Sequence, residues 1–192
     1  MVEFNPQSEA AAPWAWNDLQ RNEPLETRSL ESFLGEEQDA STHPAGFALV
    51  LPTYLRAQMI EHAGRWVAHE QAGILLGRAY RDPRGFQFTV LAAALPVADA
   101  EASIAQVKMR AAAWPAIWQG LQQNPGQQII GWYHSHPGYG IFLSATDRTT
   151  QNAYFAAPWQ VAVVVDPVRG EFGVFAGCDA DPLPDAAIFL VA

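Results

Sequence analysis

Thiols are nearly missing from this sequence: Cys178 is the single cysteine in 192 residues. That excludes an internal disulfide and any metal site built from several thiolates. Basic charge is also short, with 11 Lys and Arg against 20 Asp and Glu and a net charge of −9; Lys108 is the one lysine. Such a chain has no basic field to gather a phosphate backbone, so nucleic-acid binding is not expected. No apolar run reaches the length of a membrane span. The start, Met1-Val2-Glu3-Phe4-Asn5-Pro6, lacks the basic and apolar regions of a secretory signal. Together these absences lead to the expectation of a cytoplasmic protein with no membrane partner.

Apolar residues, by contrast, are plentiful. They make up 49% of the chain, with seven Trp and ten Phe, enough for one packed domain at this length. The negative charge is concentrated at one end. Residues 1–45 hold nine acids against Arg21 and Arg28, a net −7, which leaves −2 for the rest. Residues 1–45 therefore read as an acidic N-terminal arm, and residues 46–192 as the compact domain. Leu30, Phe33 and Leu34, at i, i+3 and i+4, suit a short helix with one apolar face. With Trp14 and Trp16 they predict that part of the arm docks, on its own body or on a partner. A solvated tail that aids solubility is the plainer reading of its charge.

The domain reads as mixed α and β, a mixed sheet flanked by helices. Phe47 to Leu51 forms a strand, and a helix runs on to about His69 with Leu55, Met59, Ala63, Trp66 and Val67 on its buried face. Gly73 to Tyr80 and Phe86 to Leu95 form a hairpin across Asp82-Pro83-Arg84-Gly85. Ser103 to Gln123 is helical, kinked or split at Pro115. Gln127 to His136 is a strand, Ser144 to Phe155 a helix, Val161 to Asp166 and Glu171 to Ala176 strands. Ile188 to Val191 packs down.

Chemistry concentrates in His134-Ser135-His136-Pro137-Gly138-Tyr139-Gly140-Ile141-Phe142-Leu143-Ser144-Ala145-Thr146-Asp147. Alternation along a strand turns His134 and His136 the same way, so both imidazoles reach one ion. Asp147, one turn into the following helix, can reach back to them. Two nitrogens and one carboxylate make a three-ligand site with a fourth position open, as in catalytic zinc sites. Duller readings exist for each part: Ser144 with Asp147 is nearly a capping box, and the histidines could simply flank a turn. Upstream, His69-Glu70 begins like the zincin helix motif, but Gly73 stands where the second histidine belongs. Zinc deaminases need a paired-cysteine segment that one cysteine cannot supply. Glu70 itself is either a surface acid at a helix end or a group aimed at the site.

Taken whole, Ile130 to Gly140 followed by Leu143-Ser144-x-x-Asp147 resembles the motif of the JAMM/MPN-plus (Mov34/PAD1-like) zinc metallopeptidases, which include the signalosome deneddylase and the proteasome-lid deubiquitinase. Glu70-x-x-Gly73-x-x-Leu76-Gly77 is similar to that family's upstream glutamate segment, and Val161 to Pro167 to its strand after the metal helix. The likeness covers about residues 47–177. Phe142 stands where those relatives often carry tryptophan, and the turn after Asp166 is too short for the loop that grips a second ubiquitin in linkage-selective members.

The resemblance implies an MPN/JAB fold of cytidine-deaminase-like layout with one Zn²⁺ per chain on His134, His136 and Asp147. Glu70 would be the general base, and the Ser144 hydroxyl would help hold the oxyanion. Ser135, Gly138, Gly140 and Phe142 are the implied substrate-cleft residues. It further implies cleavage after the C-terminal tail of a ubiquitin-like protein, in deconjugation or precursor processing. Similar domains act on small sulfur-carrier adducts or phage proteins, and others are non-catalytic MPN scaffolds. Bacterial members resemble parts of ubiquitin-like conjugation systems, some linked to antiviral defence. Activating or conjugating enzymes are accordingly the partners expected at the arm.

Overall fold

The computed structural model describes residues 24–36, 38–40, 46–97 and 114–192. Trp14, Trp16 and the first part of the helix expected from Ser103 lie outside these. In chain order the elements are β1 (Glu26–Thr27), a 3-10 turn (Leu30–Phe33), β2 (Phe47–Pro52), α1 (Thr53–Gly64), β3 (Ala72–Arg81), β4 (Gln87–Val97), α2 (Trp114–Gln123), β5 (Gln128–Ser135), α3 (Ala145–Tyr154), β6 (Val161–Asp166), β7 (Glu171–Ala176), β8 (Asp181–Pro182), a second 3-10 turn (Asp185–Ala187) and β9 (Ile188–Val191). Pro115 is the second residue of the described part of α2.

All the described strands join one mixed sheet, in the order β8-β7-β6-β5-β3-β4-β2-β9 with β1 off this path. β1 pairs in parallel with Tyr80 and Arg81, on the stretch of β3 beyond Gly77 where β5 has ended. The expected mixed sheet flanked by helices is thus present. Leu55, Met59 and Ala63 of α1 pack on one face with Leu75, Ile130, Tyr133 and Val163. Ile117 of α2 and Phe155 at the end of α3 cover the other face, against Ile74, Trp132 and Val164.

α1 is shorter than its periodicity predicts. It stops at Gly64, and Trp66 and Val67 are more than half exposed. They continue the helical spacing, but the chain has to turn here to enter β3, so they leave the buried face. The 3-10 turn at Leu30 also packs down. Leu30 is fully buried beside Ala48, Val50 and Phe88, and its N–H donates to Asp82 Oδ2 at 2.9 Å.

Candidate metal centre

β5 is where the sheet acquires chemistry. Its pairing with β3 slips between Leu75 and Leu76, opposite Ile129 to Gly131. This bulge sends Ile130 to the α1 face but Trp132 to the α2/α3 face. His134 and His136 follow Trp132 on that face by strand alternation. The Trp132 indole lies flat on His134, centroids 4.5 Å apart and planes 11° from parallel, while its Nε1–H donates to Gln151 Oε1 at 2.8 Å. One side of the first imidazole is therefore fixed by a ring that α3 itself holds in place.

The third polar group comes from α3. Ser144 caps the helix: its Oγ accepts from the Asp147 N–H at 3.2 Å, and its own N–H donates to Asp147 Oδ2 at 2.7 Å. The same Oδ2 lies 3.5 Å from His134 Nε2 and 3.7 Å from His136 Nε2. Capping box and candidate ligand are one carboxylate in two roles. The two Nε2 atoms are 3.1 Å apart. Ligand atoms about 2.1 Å from one tetrahedral ion stand roughly 3.4 Å from each other, so these three atoms match the edges of a zinc coordination shell. His134, His136 and Asp147 are each no more than 3% exposed, which keeps water from competing for them.

Glu70 reaches the group through register. Ala72 pairs with His134, and Gln71 and Ser135 continue the ladder: the Ser135 N–H donates to Gln71 O at 2.9 Å, and the Gln71 N–H to Ser135 Oγ at 2.8 Å. The next pair sets Glu70 opposite His136, with Oε1 3.9 Å from Nε2 and the side chain about one-third exposed. Glu70 is thus not at a helix end but in the turn entering β3.

Charge is strongly coupled here. Burial pushes the Asp147 carboxyl up, but hydrogen bonds from His134 and His136, the charge of His134 and the Ser144 contact outweigh it, holding it far below the usual carboxylate range. Burial likewise pushes His136 down, and Asp147 and Glu70 outweigh it in the other direction. Nδ1 of each histidine is buried with no hydrogen-bond partner among the described residues. The two Nε2 atoms and Asp147 Oδ2 converge on one point, a donor set that could hold a divalent cation.

A cleft of about 200 Å³ opens over this group, lined by Glu70, His136, Tyr139, Phe142, Ser144, Thr146 and Asp147. Phe142 forms a wall, its ring 4.5 Å from that of His136. Ser135 is not brought to the cleft; it is fully buried and its hydroxyl is spent on Gln71. Gly138 and Gly140 also stay off the lining. Their φ values of +80° and +84° make them turn glycines. Sequence reasoning missed Asp166 as a site residue. Fully buried, it accepts N–H bonds from Gly138, Gly140, Val168 and Arg169 at 2.8 to 3.1 Å. Its one signal in the sequence is a lone carboxylate ending a wholly apolar strand. Tyr139, 72% exposed at the rim, was likewise not singled out.

The family model described as prokaryotic homologs of the JAB domain matches residues 52–173. The chain is 37% identical to COP9 signalosome complex subunit 5 of Caenorhabditis elegans over 58% of its own length and 30% of that protein. It is 31% identical to the 26S proteasome regulatory subunit rpn11 of Schizosaccharomyces pombe over 60% of its length and 37% of the relative's. It spans about a third of these two proteins. The solution structure of protein DSY2949 from Desulfitobacterium hafniense shares the fold, with a TM-score of 0.54 at 21% identity, covering 74% of this chain and 92% of that one.

Proposed function

We propose that this chain, which belongs to the family of prokaryotic homologs of the JAB domain, is a zinc-dependent isopeptidase or peptidase cleaving after the C-terminal tail of a ubiquitin-like protein. One observation carries the reading. A carboxylate from a separate segment, Glu70, stands 3.9 Å from a buried His-His-Asp group. The signalosome and proteasome subunits among its relatives support a substrate of the ubiquitin-like class.

His134, His136 and Asp147 would hold Zn²⁺. When bound, zinc supplies Lewis acidity, acidifying water and polarising a carbonyl. Glu70 is the one acid of the cleft that is neither capping a helix nor buried, so its Oε1 is free to accept a proton from water and return it to the departing amine. Ser144 Oγ already accepts from the Asp147 N–H, which leaves its own proton to donate to a developing oxyanion. Phe142 and Tyr139 wall the cleft against water and leave room for small terminal residues of an extended tail. An activating or conjugating enzyme of the same ubiquitin-like system, met through the acidic arm, is part of this proposal.

Glu70→Gln is expected to keep about one zinc per chain and lose cleavage, whereas His134→Ala loses both; metal analysis beside a cleavage assay separates them. Full activity in Glu70→Gln would remove the general-base role. A ubiquitin-like conjugate, a carrier-protein adduct and a plain peptide, assayed side by side, identify the substrate class.

A further inference from the structure

We infer that Asp166 is a positioning residue of this centre, acting on the metal through the Gly138–Gly140 loop and the ring of His136. The inference rests on the zinc reading above. Asp166 ends β6 and is fully buried, yet its nearest cation, Arg169, is 3.6 Å away and half exposed. Backbone dipoles satisfy it instead. Oδ1 accepts from the N–H groups of Gly138 at 2.9 Å, Val168 at 3.0 Å and Arg169 at 3.1 Å, while Oδ2 accepts from Gly140 at 2.8 Å. Left-handed φ at Gly138 and Gly140 turns both N–H groups inward, forming a nest around the carboxylate. Burial alone would push this carboxyl up, but the four backbone donors hold it below its ordinary range.

The consequence reaches His136. Its main chain is held independently, its N–H donating to Val165 O at 2.9 Å, so the strand fixes where the residue begins but not how its ring is turned. Phe142 packs against the ring, 4.5 Å away between centroids, and limits how it can turn. Phe142 follows directly on the turn that Asp166 tethers at Gly138 and Gly140. Outer partners of this kind commonly change metal affinity by about ten- to a hundredfold.

The division between the two oxygens makes the test selective. Asp166→Asn can keep the three bonds at Oδ1, but its amide turns a donor towards the Gly140 N–H. Gly140→Ala disturbs the same loop from its other end. A Cβ there meets Arg169 Nη1 at 2.9 Å on a backbone at φ +84°. The experiment is Zn²⁺ affinity by chelator competition on the full chain, with far-ultraviolet circular dichroism and a thermal melt of each variant. Both variants are expected to melt cooperatively and bind Zn²⁺ about tenfold more weakly. A general loss of stability would lower the melting temperature and leave affinity alone. Affinity within twofold of wild type in a folded Asp166→Asn overturns the inference; if that variant does not fold, unchanged affinity in Gly140→Ala overturns it. A wild-type chain that binds no Zn²⁺ defeats the function proposed above, and this inference with it.

Discussion

Ser144 shows how one side chain can serve folding and chemistry together. Its Oγ caps α3 and also lines the cleft. Ser144→Ala should therefore have two separable effects. The lost cap costs about 1 kcal/mol of stability, measured by denaturant unfolding, and the lost oxyanion donor lowers kcat by on the order of a hundredfold. A loss of stability with unchanged kcat would leave Ser144 with the cap alone. Gly73 makes a different point at the same scale. It occupies the place of a zincin histidine, and a Cβ there would lie 2.2 Å from the Tyr133 ring and 2.4 Å from Leu95 O. No side chain fits at that position, which excludes the zincin alternative on steric as well as sequence grounds.

At the scale of elements, β3 is the frame to which the rest is fitted. It pairs with β4 along its whole length, with β5 over Ala72 to Gly77 and with β1 beyond. Its register with β5 is what carries Glu70 to His136. Gly73→Ala should wedge the β3–β5 pair apart, costing about 1–3 kcal/mol as overpacking does. It should also weaken catalysis more than zinc binding, since His134, His136 and Asp147 do not lie on β3. The observation to make is zinc content beside kcat; equal losses of both would mean that the whole centre had collapsed.

Across the whole molecule, residues 24–36 and 38–40 bind the sheet at the end away from the metal group. Arg84 organises the contact, donating to Asp82 Oδ1 and to Ala40 O, each at 2.8 Å, and pairing with Glu31 at 2.8 Å. Asp82 is 1% exposed, and the Arg84 hydrogen bond, with the Leu30 N–H, lowers its pKa from 3.8 to about 2. A carboxyl depressed on folding contributes stability that is complete above its unfolded pKa and lost as pH falls through the folded one. Stability should thus drop by about 2 kcal/mol between pH 4 and pH 2 on this account. Urea midpoints across that range would show it, and Asp82→Asn should flatten the slope; an unchanged slope would assign the acid sensitivity elsewhere. Removing residues 1–45 should cost about 2–5 kcal/mol, since it empties the site of the fully buried Leu30. An unfolding midpoint equal to that of the full chain would show that the contact adds nothing.

Much of this was legible beforehand because it is local. Alternation in β5, the capping pattern at Ser144 and the glycines after His136 are all dictated by neighbours in the chain, and they correctly bring two histidines and an aspartate to one point. The end of α1 is not legible in this way, because Trp66 and Val67 keep helical spacing after the backbone has turned away, and periodicity cannot see where a chain must turn. What depended on distant partners was decided by tertiary structure alone. The bulge opposite Leu75 and Leu76 chose the face on which the histidines lie. Strand register brought Glu70 to them across 66 positions of sequence, and the Asp166 carboxylate became a tether because backbone N–H groups from two turns converge on it. Sequence spacing specifies which groups can share a helix or strand face; only the pairing of remote strands determines what those faces meet.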